Sequence, residues 1–228
     1  MIPLKDENPT KTFPFVTIAI IIANVLVFIY ELNLGEGLQD KISQFAVIPY
    51  NITHLTEPAA LLTLVTSLFF HGGFAHIFGN MLYFWVFGNN IEDRLGHLRF
   101  IFFYILGGIL ATFGHILIAP DSKIPLIGAS GAISAVLGAY VILYPRAKVL
   151  VLIPFFFLWR IVRIQAWWFL IFWIILQLFY GTASLASAQG AEMTGVAWFA
   201  HVGGFLAGIL LLFFFLKRKK KKDKKEDL

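Results

Sequence analysis

Gly128-Ala129-Ser130-Gly131-Ala132-Ile133-Ser134-Ala135-Val136-Leu137-Gly138-Ala139-Tyr140-Val141-Ile142-Leu143-Tyr144-Pro145 is an uncharged apolar run that ends on a proline and carries a serine in its first turn. It reads as one membrane helix from about Ala129 to Tyr144, with Gly131, Ser134 and Gly138 offering small side chains on which another backbone can approach closely. A matching surface lies at Gly204 and Gly208 in the last apolar segment of the chain. Helix termini leave backbone N–H groups without internal partners, at the positive end of the dipole, so Ser130 stands where a developing oxyanion can be held.

The rest of the chain has the same character. Of its 228 residues 59% are hydrophobic, 17% aromatic and 14% charged, and the mean hydropathy is +0.80. This is far more apolar than a soluble domain and implies an integral membrane protein. With roughly 17 apolar residues as the least a span needs, six are expected: Phe15–Glu31, Phe74–Ile91, Phe100–Ile118, Ala129–Tyr144, Trp167–Tyr180 and Val196–Leu216. Thr12 is the expected N-cap of the first, with Pro14 in its opening turn. Ala59–Phe70 is too short for a span and suits an interfacial or partly inserted helix. Val149–Leu158, cut off from the fifth span by Arg160 and Arg163, is read as a membrane-associated cytoplasmic loop. Gly181–Gly195, rich in Gly, Ala and Ser, has the composition of a mobile connection.

Charge orients the bundle. Arg94, Arg99, Arg146, Lys148, Arg160, Arg163 and the run Lys217-Arg218-Lys219-Lys220-Lys221-Lys222 fall on one side, whereas Glu36, Asp40, Glu57, Asp121 and Glu192 fall on the other. The positive-inside rule then makes both termini cytoplasmic. The net charge of +5 comes largely from the C-terminal run, which reads as a solvated anchor near lipid headgroups and implies no nucleic-acid partner. Without cysteine the chain has neither disulfides nor thiolate chemistry.

In this orientation spans two, four and six all start at the external face, and His76, Asn80, Ser130 and His201 lie within their first two turns or so. Polar groups in hydrocarbon are costly and usually face a bundle interior or a wet cavity, so one shared site is expected. Serine needs a base to become a nucleophile, and His201 is the candidate. His76 and Asn80, at i and i+4, share a helix face and can donate to one oxygen. Blander readings stand beside this: a membrane serine often back-bonds to a carbonyl, and a membrane histidine often only joins helices. Metal binding is disfavoured, because His71-x4-His76 is not a His-Glu-x-x-His motif and no carboxylate completes a zinc set. Glu92 and Asp93 lie about 24 Å along the helix from His76 at 1.5 Å per residue, too far to orient His201.

Taken together, His71-x4-His76-x3-Asn80, Gly128-x-Ser130-Gly131 and Ala200-His201-x2-Gly204-x3-Gly208 resemble the rhomboid intramembrane serine proteases, as do the order of spans, the long first external loop and Glu92-x-Arg94-x-Gly96. The resemblance implies an all-α membrane protein, a six-transmembrane-helix rhomboid-like bundle with a long external first loop. It would comprise a cytoplasmic segment 1–12, a membrane domain 13–216 and a basic cytoplasmic tail 217–228. It further implies a Ser130–His201 dyad, an oxyanion hole of His76, Asn80 and the Ser130 backbone N–H, and a loop role for His71. Glu92 and Arg94 are expected to tie down the cytoplasmic turn.

Two positions depart from the family. Its Trp-Arg pair in the first loop is replaced by Leu62-Thr63, and a tyrosine one turn after the nucleophile by Ser134, which leaves the support of the His201 ring open. The expected activity is cleavage of membrane-protein substrates in or near a transmembrane segment at the external face, with no cofactor and no metal. Residues 181–195 and the fifth span would gate substrate access, and a prokaryotic plasma membrane is the expected location. The rival readings are a non-catalytic rhomboid-like protein that binds membrane clients, and a transporter using the same polar cluster.

Overall fold

The computed structural model describes residues 1–155, 158–186 and 196–216. In chain order these form strand β1 (Ile2–Asp6), helix α1 (Phe15–Leu32), short helices α2 (Leu38–Phe45), α3 (Pro49–Thr53) and α4 (Thr63–Thr66), then α5 (Phe74–Leu95), α6 (His97–Ile116) and α7 (Ser130–Leu143). The antiparallel pair β2 (Lys148–Phe155) and β3 (Leu158–Gln165) follows, then α8 (Ala166–Ala186) and α9 (Trp198–Phe215).

Among the described residues four helices are long and apolar enough to cross a membrane: α1, α6, α8 and α9. The segments Pro58–Phe69 and Phe74–Leu95 add a fifth if they are counted as one span, although they are bent by 80° against each other. The outer helices turn large apolar side chains outward, as Leu26, Phe78, Ile175, Phe213 and Phe214 do, which in a protein of this composition is a lipid-facing surface. The chain is therefore an integral membrane protein. At its centre stands α7, with every residue from Gly131 to Val141 buried. Its 14 residues rise only about 21 Å, against a hydrocarbon core of about 30 Å, so its first residue is recessed.

Glycine sets how closely the central helices pack. A Cβ on Gly208 would lie 1.9 Å from the carbonyl oxygen of Ala135, and one on Gly204 would lie 2.3 Å from that of Gly131. The small faces expected on spans four and six therefore meet, and α6 joins them through Gly114 against Gly203. The sharp turn between α5 and α6 uses Gly96, whose φ of 85° an L side chain rarely adopts.

Several expectations are corrected. The protein is mostly helical but not all-α, since β1, β2 and β3 form a three-stranded antiparallel sheet in that order. Of Val149–Leu158, the residues 149–155 thus form a strand paired with β3 and not a loop. Pro154 is tolerated because β1 pairs with β2 only as far as Leu152, and Pro3 lies in an edge strand with a register shift beside it. Residues 2–6 are bound into this sheet, with Asp6 buried under Tyr140 and Asn90. Residues 33–73 carry three short helices and three 3₁₀ turns.

Thr12 does not cap α1. Its backbone N–H and hydroxyl donate to Asp93, while the carboxylate of Glu92, fully buried, accepts from the N–H groups of Val16 (2.9 Å) and Thr17 (2.7 Å) and from the Thr17 hydroxyl (2.6 Å). A carboxylate at a helix N-terminus satisfies orphan donors and the dipole together. Glu92 thus ties the turn as expected, through His97 as well (2.6 Å), while Arg94 is exposed. The fifth apolar helix extends past Tyr180 to Ala186, so Gly181–Ala186 is not a mobile connection. The expectations for residues 187–195 and 217–228 lie outside the described residues.

Candidate active site

Ser130 is the first residue of α7, and the loop that delivers it is held on both sides. The N–H of Gly128 donates to the Ser67 carbonyl (2.9 Å), and Leu126 pairs with Val47. Gly128 has φ of 117°, and a Cβ there would lie 2.7 Å from His76 Nε2, so both backbone conformation and space require glycine. Ser134 makes the back-bond common for a helical serine, its hydroxyl donating to the Ser130 carbonyl (2.6 Å). The Ser130 side chain points elsewhere. Its Oγ is 2.8 Å from His201 Nε2, in the first turn of α9.

The other nitrogen of His201, Nδ1, is 2.7 Å from Oε1 of Gln177 on α8. Trp173 lies over the imidazole at 5.9 Å between ring centroids, and Trp198 meets it edge-on at 6.2 Å. These contacts hold the His201 ring in the absence of a tyrosine one turn after Ser130. Gln177 was not among the expected site residues. A single glutamine inside an apolar helix does not disclose its neighbour 24 positions away.

His76 and Asn80 lie on α5 across from Ser130. The Gly72 N–H donates to His76 Nδ1 (3.3 Å), which leaves the ring proton of neutral His76 on Nε2 as a donor. Asn80 is buried, and its Nδ2 has no hydrogen-bond partner among the described residues. Buried amide donors are normally satisfied, so one left open beside a serine marks a place where a ligand oxygen would be held. His76, Asn80, Ser130, Trp173, Gln177 and His201 line one cavity of about 710 Å³ between α5, α7, α8 and α9. Its size falls in the range of ligand-binding pockets.

Other polar residues lie outside this lining. His71 is adjacent to it, its ring meeting that of His76 edge-on at 5.0 Å between centroids and its backbone N–H donating to the Glu31 carboxylate (3.0 and 3.3 Å). Asp121 lies 3.9 Å from His54, both exposed. Glu192 lies outside the described residues. At the former Trp-Arg position, Leu62 is exposed and the Thr63 hydroxyl donates to the Ala60 carbonyl (2.6 Å).

A hydroxyl beside an imidazole, a third group on that imidazole and spare donors across the cavity are the groups that acyl transfer uses. Comparison with known proteins shows the family. Residues 58–218 match the sequence model of the rhomboid domain, and the chain belongs to the rhomboid family. It is similar to the presenilin-associated rhomboid-like protein A, mitochondrial, of Danio rerio, with 32% identity over 111 residues, 47% of this chain and 29% of that protein. It is also similar to two proteins of Bacillus subtilis (strain 168). The rhomboid protease GluP is 29% identical over 135 residues (59% of this chain, 25% of that protein), and the putative rhomboid protease YdcA is 34% identical over 77 residues (34% and 38%). The chain thus spans between a quarter and two fifths of the length of these relatives.

Proposed function

We propose that the chain is an intramembrane serine endopeptidase that cleaves membrane-protein substrates in or near a transmembrane segment, close to the external face of the membrane. The observation that carries this reading is Ser130 Oγ at 2.8 Å from His201 Nε2 in a cavity also lined by Asn80, whose Nδ2 has no partner among the described residues. His201 Nε2 takes the Ser130 proton as Oγ attacks the scissile carbonyl carbon. The oxyanion accepts from Asn80 Nδ2, His76 Nε2 and the N–H groups opening α7. The C–N bond then breaks, with the proton on His201 passing to the leaving amine. Water enters from the recessed cavity, His201 takes its proton, and the acyl-Ser130 ester is hydrolysed.

Two further features of the reading follow from the helices. The short α7 completes a six-span bundle with α1, α5, α6, α8 and α9. Since peptide carbonyls in a helix are already bonded, substrates must unwind at the cut, and helix-weakening residues there are expected. The membrane setting rests on the apolar helices of this chain, and relatives named as mitochondrial and relatives from a bacterium both match it.

The test is incubation of purified wild type, Ser130→Ala and His201→Ala with a single-pass membrane substrate. Fragment release by wild type alone is expected. Equal release by Ser130→Ala would remove Ser130 as nucleophile, and substrate binding without cleavage by any form would favour a non-catalytic client-binding protein.

A further inference from the structure

We infer that Gln177 is a positioning residue: its amide oxygen holds the Nδ1 proton of His201, so that the lone pair on Nε2 faces the Ser130 hydroxyl. This rests on the proposed serine-protease reading, and it concerns a residue outside the Ser–His pair and the oxyanion donors.

Gln177 lies in the middle of α8 and is 7% exposed. An amide buried among apolar groups is costly unless both ends are bonded. Here both are used. Nε2 donates to the Trp173 carbonyl one turn back (3.4 Å), and Oε1 faces His201 Nδ1 (2.7 Å).

The direction of this chain of bonds follows from the chemistry of its end. A backbone carbonyl only accepts, so the amide NH₂ belongs beside Trp173 and the amide oxygen beside His201. An amide oxygen also only accepts, so His201 Nδ1 must carry the hydrogen. Neutral imidazole has one ring hydrogen, which leaves Nε2 as an acceptor for the Ser130 hydroxyl at 2.8 Å. Were the amide reversed, its NH₂ would face Nδ1 and the ring hydrogen would move to Nε2. A donor would then face Ser130, and the hydroxyl could not be deprotonated there.

Trp173 and Trp198 fix where the ring lies, but stacking does not distinguish the tautomers. Gln177 supplies that distinction, and it does so without charge. A carboxylate in this position would add a buried negative charge inside an apolar helix, which an amide of the same reach avoids.

The experiment uses full-length protein in detergent micelles, with Gln177→Leu to remove the acceptor and Gln177→Glu to retain one of the same length. Two readouts are taken. The first is the rate of Ser130 modification by a fluorophosphonate probe, which needs no protein substrate. The second is ¹⁵N NMR of histidine-labelled protein, with the His201 signals assigned by their loss in His201→Gln.

Wild type should show a protonated Nδ1 and an unprotonated Nε2. Gln177→Leu should show a tautomer mixture and modification at least ~10-fold slower, within the range a general base contributes. Gln177→Glu should stay within a few-fold of wild type. A wild-type His201 protonated at Nε2, or an unchanged tautomer and rate in Gln177→Leu, would overturn the inference. If the probe fails to modify even wild type, the serine-protease reading fails, while the NMR measurement still decides the role of Gln177.

Discussion

At the scale of single residues, the site is defined by which hydrogen-bonding capacities are used and which are left open. Asn80 Nδ2 is buried without a partner among the described residues, whereas Ser130, His201 and Gln177 are engaged with one another. Keeping an open donor in a core lowers stability, and its use is to be filled only as charge develops on a reacting oxygen. Asn80→Ala is therefore expected to slow substrate cleavage about 10²-fold while leaving the melting temperature nearly unchanged. Cleavage kinetics paired with thermal unfolding check this, and a large loss of stability with normal cleavage would make Asn80 a packing residue. Gly128→Ala should fail differently. Its Cβ would meet His76 Nε2 at 2.7 Å from a backbone at positive φ, so activity and stability should fall together. That His76, Asn80, Ser130 and His201 meet in one cavity was legible because each sits near the start of an apolar run, where chain direction and the rise of a helix place them at one end. Gln177 was not, since it lies in mid-helix and its role depends on how α8 is rotated against α9.

At the scale of elements, two devices set the geometry: glycine contacts between α7 and α9, and the Glu92 cap on α1. Gly208→Val would press a side chain into a space where Cβ alone comes within 1.9 Å of a carbonyl oxygen, costing about 3 kcal/mol or more. Because α7 carries Ser130 and α9 carries His201, cleavage should be lost in whatever fraction of the protein still folds. Glu92→Ala leaves three donors of α1 without an acceptor, at a cost of roughly 2–3 kcal/mol, read as a lowered unfolding temperature in micelles. An unchanged unfolding temperature would contradict the capping role. Spacing alone disclosed Gly131, Ser134, Gly138, Gly204 and Gly208 as packing faces. The cap escaped notice because Glu92 and Thr17 are 75 positions apart and no local rule links them. The sheet escaped for a related reason: β1 and β2 pair across some 145 residues, and in a chain this apolar the runs around Val149 read as membrane contact before they read as strands.

At the scale of the whole molecule, the N-terminal strand is fastened to the helical bundle at the end opposite the site. Asp6 Oδ2 accepts from Asn90 Nδ2 on α5 (2.8 Å) and from the Tyr140 hydroxyl on α7 (2.7 Å), and Glu7 pairs with Arg163 of β3 (3.1 Å). Burial pushes the Asp6 carboxyl above its ordinary value of 3.8, against the lowering effect of the Tyr140 hydrogen bond. A carboxyl with a raised folded pKa contributes stability that is fully present below its unfolded pKa and is lost as pH rises through the folded value. Wild type should therefore gain stability relative to Asp6→Asn as pH is lowered towards 4, and lose that advantage on the way to neutrality. Unfolding temperatures of both proteins across this range check it; a difference independent of pH would contradict it.

The architecture as a whole recesses a short central helix among lipid-facing neighbours so that its first residue, Ser130, opens onto a cavity inside a membrane bundle. The central claim is that His201 makes this serine a nucleophile. Its most direct test is peptide mapping by mass spectrometry after exposure of wild type and His201→Gln to a fluorophosphonate. A single adduct on Ser130 in wild type, lost in His201→Gln, is the predicted result; no adduct in wild type, or one that persists without His201, would contradict the claim.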